Sequence, residues 1–277
     1  MPLAEVDGLQ IFYELIGAED KPLLLQFGGS LLSRHHFDAV NDRLAQHFRI
    51  LAYDPRGYGR SSAPLEPYTV AGWADEAVGL LDALGIERVL VLGSSGGGMN
   101  ALAFAGRHSG RTIALCADCC YARPDLTRRM YFRIWRRMLD SMPADELSDL
   151  IITQVLSAEF LERNEDWLAS SRVMMAAVSK ETLAQSFIAQ ETMDLESAVR
   201  AIASPTLMTN FAGDILCPPQ LAESGFGARD IAAANPDWVR SVELDGRGHA
   251  PLVEAADIVL PLMIEHLLAS VTAVSVR

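Results

Sequence analysis

The chain has 277 residues, half of them hydrophobic, which is enough for one large α/β domain with an inserted subdomain or for two small domains. Its formal charge of −13 and pI near 4.9 repel phosphate backbones and anionic leaflets, so neither nucleic acid nor a membrane is an expected partner. The start lacks the basic and apolar regions of a secretory signal, and no apolar run approaches the roughly 18 residues of a membrane span. A cytoplasmic protein is expected.

Along the chain, AEVDGLQIFYELIG alternates around a turn at Asp7-Gly8 and predicts an antiparallel leading hairpin. Four short apolar runs follow, LLLQF (23–27), RILAYD (49–54), RVLVLG (88–93) and TIALCAD (112–118), separated by segments that are apolar at helical spacing. Strand and helix alternating in this way predict right-handed crossovers and a mostly parallel sheet covered on both faces. From Tyr121 strand character fades, and about seventy residues read as four amphipathic helices. Strand patterns return in SPTLMTNFAGD (204–214) and VRSVELDG (239–246), and AADIVLPLMIEHLLASV supplies a last helix. The expected fold is therefore α/β, with a mostly parallel central sheet flanked by helices. Residues 1–120 and 194–277 form the core, and 121–193 an inserted four-helix cap. No repeat or linker marks a second independent domain.

Four cysteines, Cys116, Cys119, Cys120 and Cys217, read as reduced, buried thiols. The Cys-x-x-Cys within CADCC ends an apolar run and lacks a second ligand pair, so no metal site is expected.

Gly93-Ser94-Ser95-Gly96-Gly97 satisfies Gly-x-Ser-x-Gly with Ser95 in the middle, between the strand RVLVL and the helix MNALAFAGRH. That is the context of a strained strand-to-helix turn that exposes a nucleophilic hydroxyl. Ser94 should point elsewhere. The helix end behind Ser95 directs unpaired N–H groups at the site, and Gly96 N–H is a candidate oxyanion donor. A serine hydroxyl is a weak nucleophile at neutral pH, so a histidine base and an orienting carboxylate are required. Of six histidines, His249 lies in the glycine-rich turn DGRGHAP after a strand and is the expected base; His47, His108 and His266 read as surface or capping residues. For the acid, Asp214 leaves the carboxyl end of TLMTNFAGD and faces the same edge. Asp118, at the end of TIALCAD, is the alternative.

The order Ser95, Asp214, His249 resembles the α/β-hydrolase superfamily. DPRGYGRS (54–61), DLESAVRAIASPTLM (194–208) and GRGHAP are similar to stretches of its helical-capped serine hydrolases, among them small esterases, lactonases and thioesterases. The resemblance covers nearly the whole chain and implies an α/β-hydrolase fold with neither cofactor nor metal. It also assigns Gly29 N–H as the second oxyanion donor, because Phe27-Gly28-Gly29 stands where relatives carry His-Gly-x. Phe27 replaces that histidine, so something other than an imidazole must hold the backbone there. Phe211, three residues before Asp214, also departs from the usual glycine.

The helical insertion is rich in methionine and aromatic residues, which suits a small hydrophobic substrate. Tyr131 and Trp135 are candidate pocket residues there, and His35 and His36 are candidates beside the oxyanion loop. Six arginines crowd the first of these helices, at 123, 128, 129, 133, 136 and 137, and read as a solvated face paired with Asp140, Glu146 and Asp149. The expected activity is hydrolysis of an ester, lactone or thioester through an acyl-enzyme. The alternatives are a C–C hydrolase, lyase, cofactor-free oxygenase or perhydrolase on the same residues, and a binding or receptor protein without turnover. A homodimer is compatible with the sequence, which does not fix the oligomeric state.

Overall fold

The computed structural model describes residues 2–246 and 248–275. The leading hairpin joins β1 (Leu3–Val6) to β2 (Leu9–Ile16). Its turn residues Asp7 and Gly8 have φ of 50° and 80°, the pair of positive values that a two-residue turn of matching twist requires. The sheet continues through β3 (Leu23–Phe27), α1 (Asp38–Leu44), β4 (Arg49–Tyr53), α2 (Val70–Ala83), β5 (Val89–Ser94), α3 (Gly96–Arg107) and β6 (Thr112–Asp118). Five helical segments then lie between strands: α4 (Leu126–Ser141), α5 (Ala144–Val155), α6 (Ala158–Arg163), α7 (Glu165–Ala176) and α8 (Lys180–Thr192). The chain returns through α9 (Glu196–Arg200), β7 (Thr206–Phe211), α10 (Ala228–Ala234), β8 (Val239–Leu244), α11 (Pro251–Glu254) and α12 (Ala256–Ser275).

The eight strands form one sheet in the order β1-β2-β4-β3-β5-β6-β7-β8. β1, β2 and β4 pair antiparallel, and every other pairing is parallel. The strand repeat of two separates two cores. Leu25, Phe27, Val91 and Leu115 face α2 and α3, while Leu24, Leu90, Leu92 and Ala114 face Phe37, Val259 and Met263 on the other side. With both faces covered, β5 is buried at every position, which is why it reads as a continuous apolar run.

The second of the four helices expected in the insertion is broken in two. Leu156 and Ser157 are extended, with ψ of 150° and 149°, and Ser157 caps α6 by accepting from Phe160 N at 3.3 Å. Its own N–H and hydroxyl both donate to Glu254 of α11, so a side chain from the core replaces the helical bonds lost at the break. Arg123, just before α4, and Arg128, Arg133 and Arg136 on it pair, but not with the acids expected. Arg123 meets Asp194 and Glu196, Arg128 meets Asp125, and Arg133 and Arg136 share Glu191, whereas Asp149 is taken by Arg172. These partners come from loops, from the start of α9 and from α8, along which α4 packs. Among the described residues no helix is long and apolar enough to cross a membrane.

Candidate active site

β5 ends at Ser94 and α3 begins at Gly96, which leaves Ser95 alone in the turn with φ 55° and ψ −125°. A non-glycine residue in that region is strained, and such strain persists only where the surroundings hold it. Here Ser95 N donates to Asp118 O at 2.9 Å, and a side chain at Gly97 would place its Cβ 2.0 Å from Phe27 O. Gly98 has a similar reason to be glycine, since Cys120 would lie 2.9 Å from a Cβ there. Ser94 points the other way, its hydroxyl donating to the Asp118 carboxylate.

The turn after β8 carries His249, which is 4% exposed. Arg247 of that turn lies outside the described residues. His249 Nε2 is 2.8 Å from Ser95 Oγ, and Nδ1 is 2.8 Å from Asp214 Oδ2. The other carboxylate oxygen of Asp214 accepts from Leu216 N at 2.7 Å and Cys217 N at 3.0 Å, which fixes its orientation. Burial pulls the imidazole pKa down, but the Asp214 carboxylate outweighs it and raises the pKa above the ordinary histidine value. A hydroxyl, an imidazole and a buried carboxylate in this line can turn serine into a nucleophile.

Asp118 is elsewhere. Its carboxylate accepts from Thr209 Oγ1 at 2.6 Å and from Ser94, beneath the carboxyl edge between β6 and β7, and has no hydrogen bond to His249. Burial pushes its pKa up to about 6. Asp214, Cys217 and His249 bring ligand-type atoms within 4.8 Å of one another. Both Asp214 oxygens are engaged in hydrogen bonds, Oδ1 to Leu216 N and Cys217 N and Oδ2 to His249 Nδ1.

Phe27 occupies the place of the usual oxyanion-loop histidine and belongs to the core, with its ring 5.7 Å from Phe104 and 5.9 Å from Tyr53. The loop is held by other means. Gly29 O accepts from Leu32 N and Ser33 N at 3.2 and 2.8 Å, and Ser30 Oγ accepts from Gln190 Nε2 of α8 at 2.8 Å. Ser30 packs so closely on Gly96 that a Cβ there would fall 1.9 Å from its hydroxyl, which brings the two candidate donors, Gly29 and Gly96, to one corner. Sequence reasoning missed Gln190. Its one signal is a long polar side chain on a buried helix face, where it must find partners.

Ser95 and His249 open on a pocket enclosing about 890 Å3 of space, part of it open to solvent. Tyr131 and Trp135 both line it, stacked with centroids 6.2 Å apart, together with Phe132, Ile151, Met175 and Phe187. His36 lines the pocket against Gly29, and burial, helped by the His249 charge, lowers its pKa to about 4, so it is a neutral imidazole at pH 7. His35 does not line the pocket. One position earlier in the same turn, its ring turns outward to Asp38, with Nδ1 2.8 Å from Oδ2.

The model of the alpha/beta hydrolase family matches residues 27–261, and the chain belongs to that family. Among its relatives is the RutD protein of Caulobacter sp. (strain K31), whose name provisionally makes it a carbamate hydrolase. It is 29% identical over 79% of this chain and 82% of its own length. A proline iminopeptidase of Lactobacillus crispatus (strain ST1) is 26% identical over 78% of this chain and 83% of its own. The crystal structure of the enol-lactonase from Burkholderia xenovorans LB400 superposes with a TM-score of 0.87, covering 96% of this chain and all of that one at 27% identity. The hydrolase names of these relatives support a hydrolytic enzyme.

Proposed function

We propose that the protein is a serine hydrolase that cleaves an ester, lactone or thioester of a small hydrophobic molecule. The observation that carries this reading is the hydrogen-bonded line from Ser95 through His249 to Asp214, opening on an apolar pocket. A peptide substrate with a free amino terminus fits less well, because the described lining residues include no aspartate or glutamate to receive an ammonium. A cyclic ester, the class that the enol-lactonase name indicates for that relative, needs no such group.

In this reading His249 Nε2 takes the proton of Ser95 as Oγ attacks the carbonyl carbon, and Asp214 holds the imidazole tautomer and stabilises the imidazolium. The N–H groups of Gly29 and Gly96 receive the oxyanion. Collapse of the tetrahedral intermediate breaks the bond to the leaving group, which takes the proton from His249. Water then attacks the acyl-enzyme, His249 accepts its proton, and the acid and free Ser95 are released.

A fluorophosphonate probe should label the wild type at Ser95 and leave Ser95→Ala unlabelled, and a panel of p-nitrophenyl esters of increasing acyl length should be turned over. An inert Ser95 and no ester turnover would sink the reading.

A further inference from the structure

The pocket wall is mostly apolar; away from Ser95 and His249 its polar side chains include Ser30, His36, Ser171 and Gln190 and, where the loop after β6 meets the first turn of α4, Tyr121 and Arg128. There Tyr121 is 1% exposed, and its hydroxyl has no hydrogen-bond partner among the described residues. Beside it, Arg128 donates from Nη1 to Asp125 Oδ2 and from Nη2 to Ile215 O, each at 2.8 Å, while its Nε is buried with no partner. Both side chains line the pocket that holds Ser95. Burial and the nearby Cys217, Asp125 and Asp214 raise the phenol pKa despite Arg128, so Tyr121 stays protonated and can donate. A buried donor without an acceptor costs free energy, and two of them on one wall of a substrate pocket call for an acceptor that arrives with the ligand.

The local charges decide what kind of acceptor. The Arg128 cation is already matched by Asp125, which also accepts from Arg128 N at 3.0 Å and Ala222 N at 3.2 Å. The loop that supplies Ile215 also carries Asp214, a second buried anion. His36, the other basic side chain on the wall apart from His249, is neutral at pH 7. An incoming carboxylate would therefore meet two carboxylates and no unmatched cation, whereas an uncharged oxygen needs only the two free donors.

We propose that the substrate carries, besides the carbonyl attacked by Ser95, a second and uncharged carbonyl oxygen that is received by Arg128 Nε–H and Tyr121 O–H. The substrate class becomes oxo-esters or oxo-lactones rather than plain fatty esters or dicarboxylic monoesters. This deepens the hydrolase reading, but it can be tested without turnover.

In the test, Ser95→Ala is titrated calorimetrically with ethyl hexanoate, ethyl 4-oxohexanoate, ethyl 5-oxohexanoate and monoethyl adipate. One oxo ester should bind at least about tenfold tighter than ethyl hexanoate, the gain of a hydrogen bond to a charged donor, and monoethyl adipate should bind more weakly than that oxo ester. Adding Tyr121→Phe should cut the gain to under about threefold, with the melting temperature unchanged or raised because the hydroxyl loses no protein partner. Arg128→Lys, which keeps the charge beside Asp125 but lacks Nε, should do the same; if it does not fold, Tyr121→Phe decides alone. The proposal is overturned if neither oxo ester outbinds ethyl hexanoate, if the gain survives these substitutions, or if the adipate binds best. Failure of the wild type to hydrolyse any of the esters would instead count against the hydrolase reading, and the binding ratio would still decide the subsite.

Discussion

The sharpest consequence of the geometry concerns Asp214→Asn, because two backbone donors dictate how the amide must sit. Leu216 N and Cys217 N, at 2.7 and 3.0 Å, both donate to Oδ1, so asparagine keeps its carbonyl oxygen there and turns its NH2 toward His249. His249 Nδ1, 2.8 Å from that position, must then accept, which moves the imidazole proton to Nε2, where it faces Ser95. A proton on Nε2 prevents that nitrogen from taking the serine proton. The matching change in a serine protease, a worked example of this effect, lowers kcat about 10⁴-fold, and a similar loss is expected here, equivalent to roughly 5 kcal/mol of barrier. Asp118→Asn should cost less than about tenfold, since that carboxylate holds Thr209 and Ser94 rather than His249 and burial already disfavours its charge. Both variants are compared by kcat on p-nitrophenyl butanoate, with circular dichroism to verify folding. If Asp214→Asn loses less than about tenfold, or Asp118→Asn loses more than Asp214→Asn with its fold intact, the assignment of the acid is refuted.

Three further predictions follow from neighbouring contacts. Gln190→Leu removes the donor that holds Ser30 against the elbow, so kcat should fall about tenfold with KM changed less than about threefold, because an oxyanion corner acts chiefly on the transition state; steady-state kinetics check this. Ser157→Ala deletes both the cap of α6 and the hydroxyl that donates to Glu254, and should lower the unfolding free energy in urea by about 1–3 kcal/mol. The raised pKa of His249 means that the candidate base is protonated below it, so kcat/KM should climb with pH through an apparent pKa above the ordinary 6.5, a limb that a pH–rate profile shows directly. The stability from that pair is complete below 6.5 and is lost as pH rises through the raised value, so activity and stability should move in opposite directions there.

Much of the fold was legible because its signals are local. β3 and β6 coincide with LLLQF and TIALCAD, since strands buried on both faces must be apolar throughout, and Asp7-Gly8 marked the hairpin because few residue pairs accept two positive φ values. The contexts of Ser95 and His249 were also local, a strand-to-helix turn and a glycine-rich turn after a strand. Choosing between Asp118 and Asp214 was not. Both end strands at the same edge, and only the position of β7 between β6 and β8 turns Asp118 toward Thr209 and leaves Asp214 nearer His249. His35 and His36 are consecutive in one turn, so sequence offered no way to tell which ring faces Gly29 and which faces Asp38.

The break between α5 and α6 shows why the least legible features sit where inserted helices meet the core. Within ITQVLSAEF only Ser157, the N-cap of α6, hints at the break, and the interruption is stabilised from outside by Glu254, 97 residues away. The same junction supplies Val155 O, which accepts from His249 N at 2.5 Å, so the backbone of the candidate base is anchored to the inserted helices. α8 does the equivalent for the loop after β3 that carries Gly29, through Gln190 and Ser30. The helices between β6 and β7 therefore both wall the pocket and help fix the spacing between Ser95, His249 and the candidate oxyanion corner. Any movement that lifts α5 away from the sheet must first give up the Val155 and Ser157 bonds, and with them the position of the imidazole.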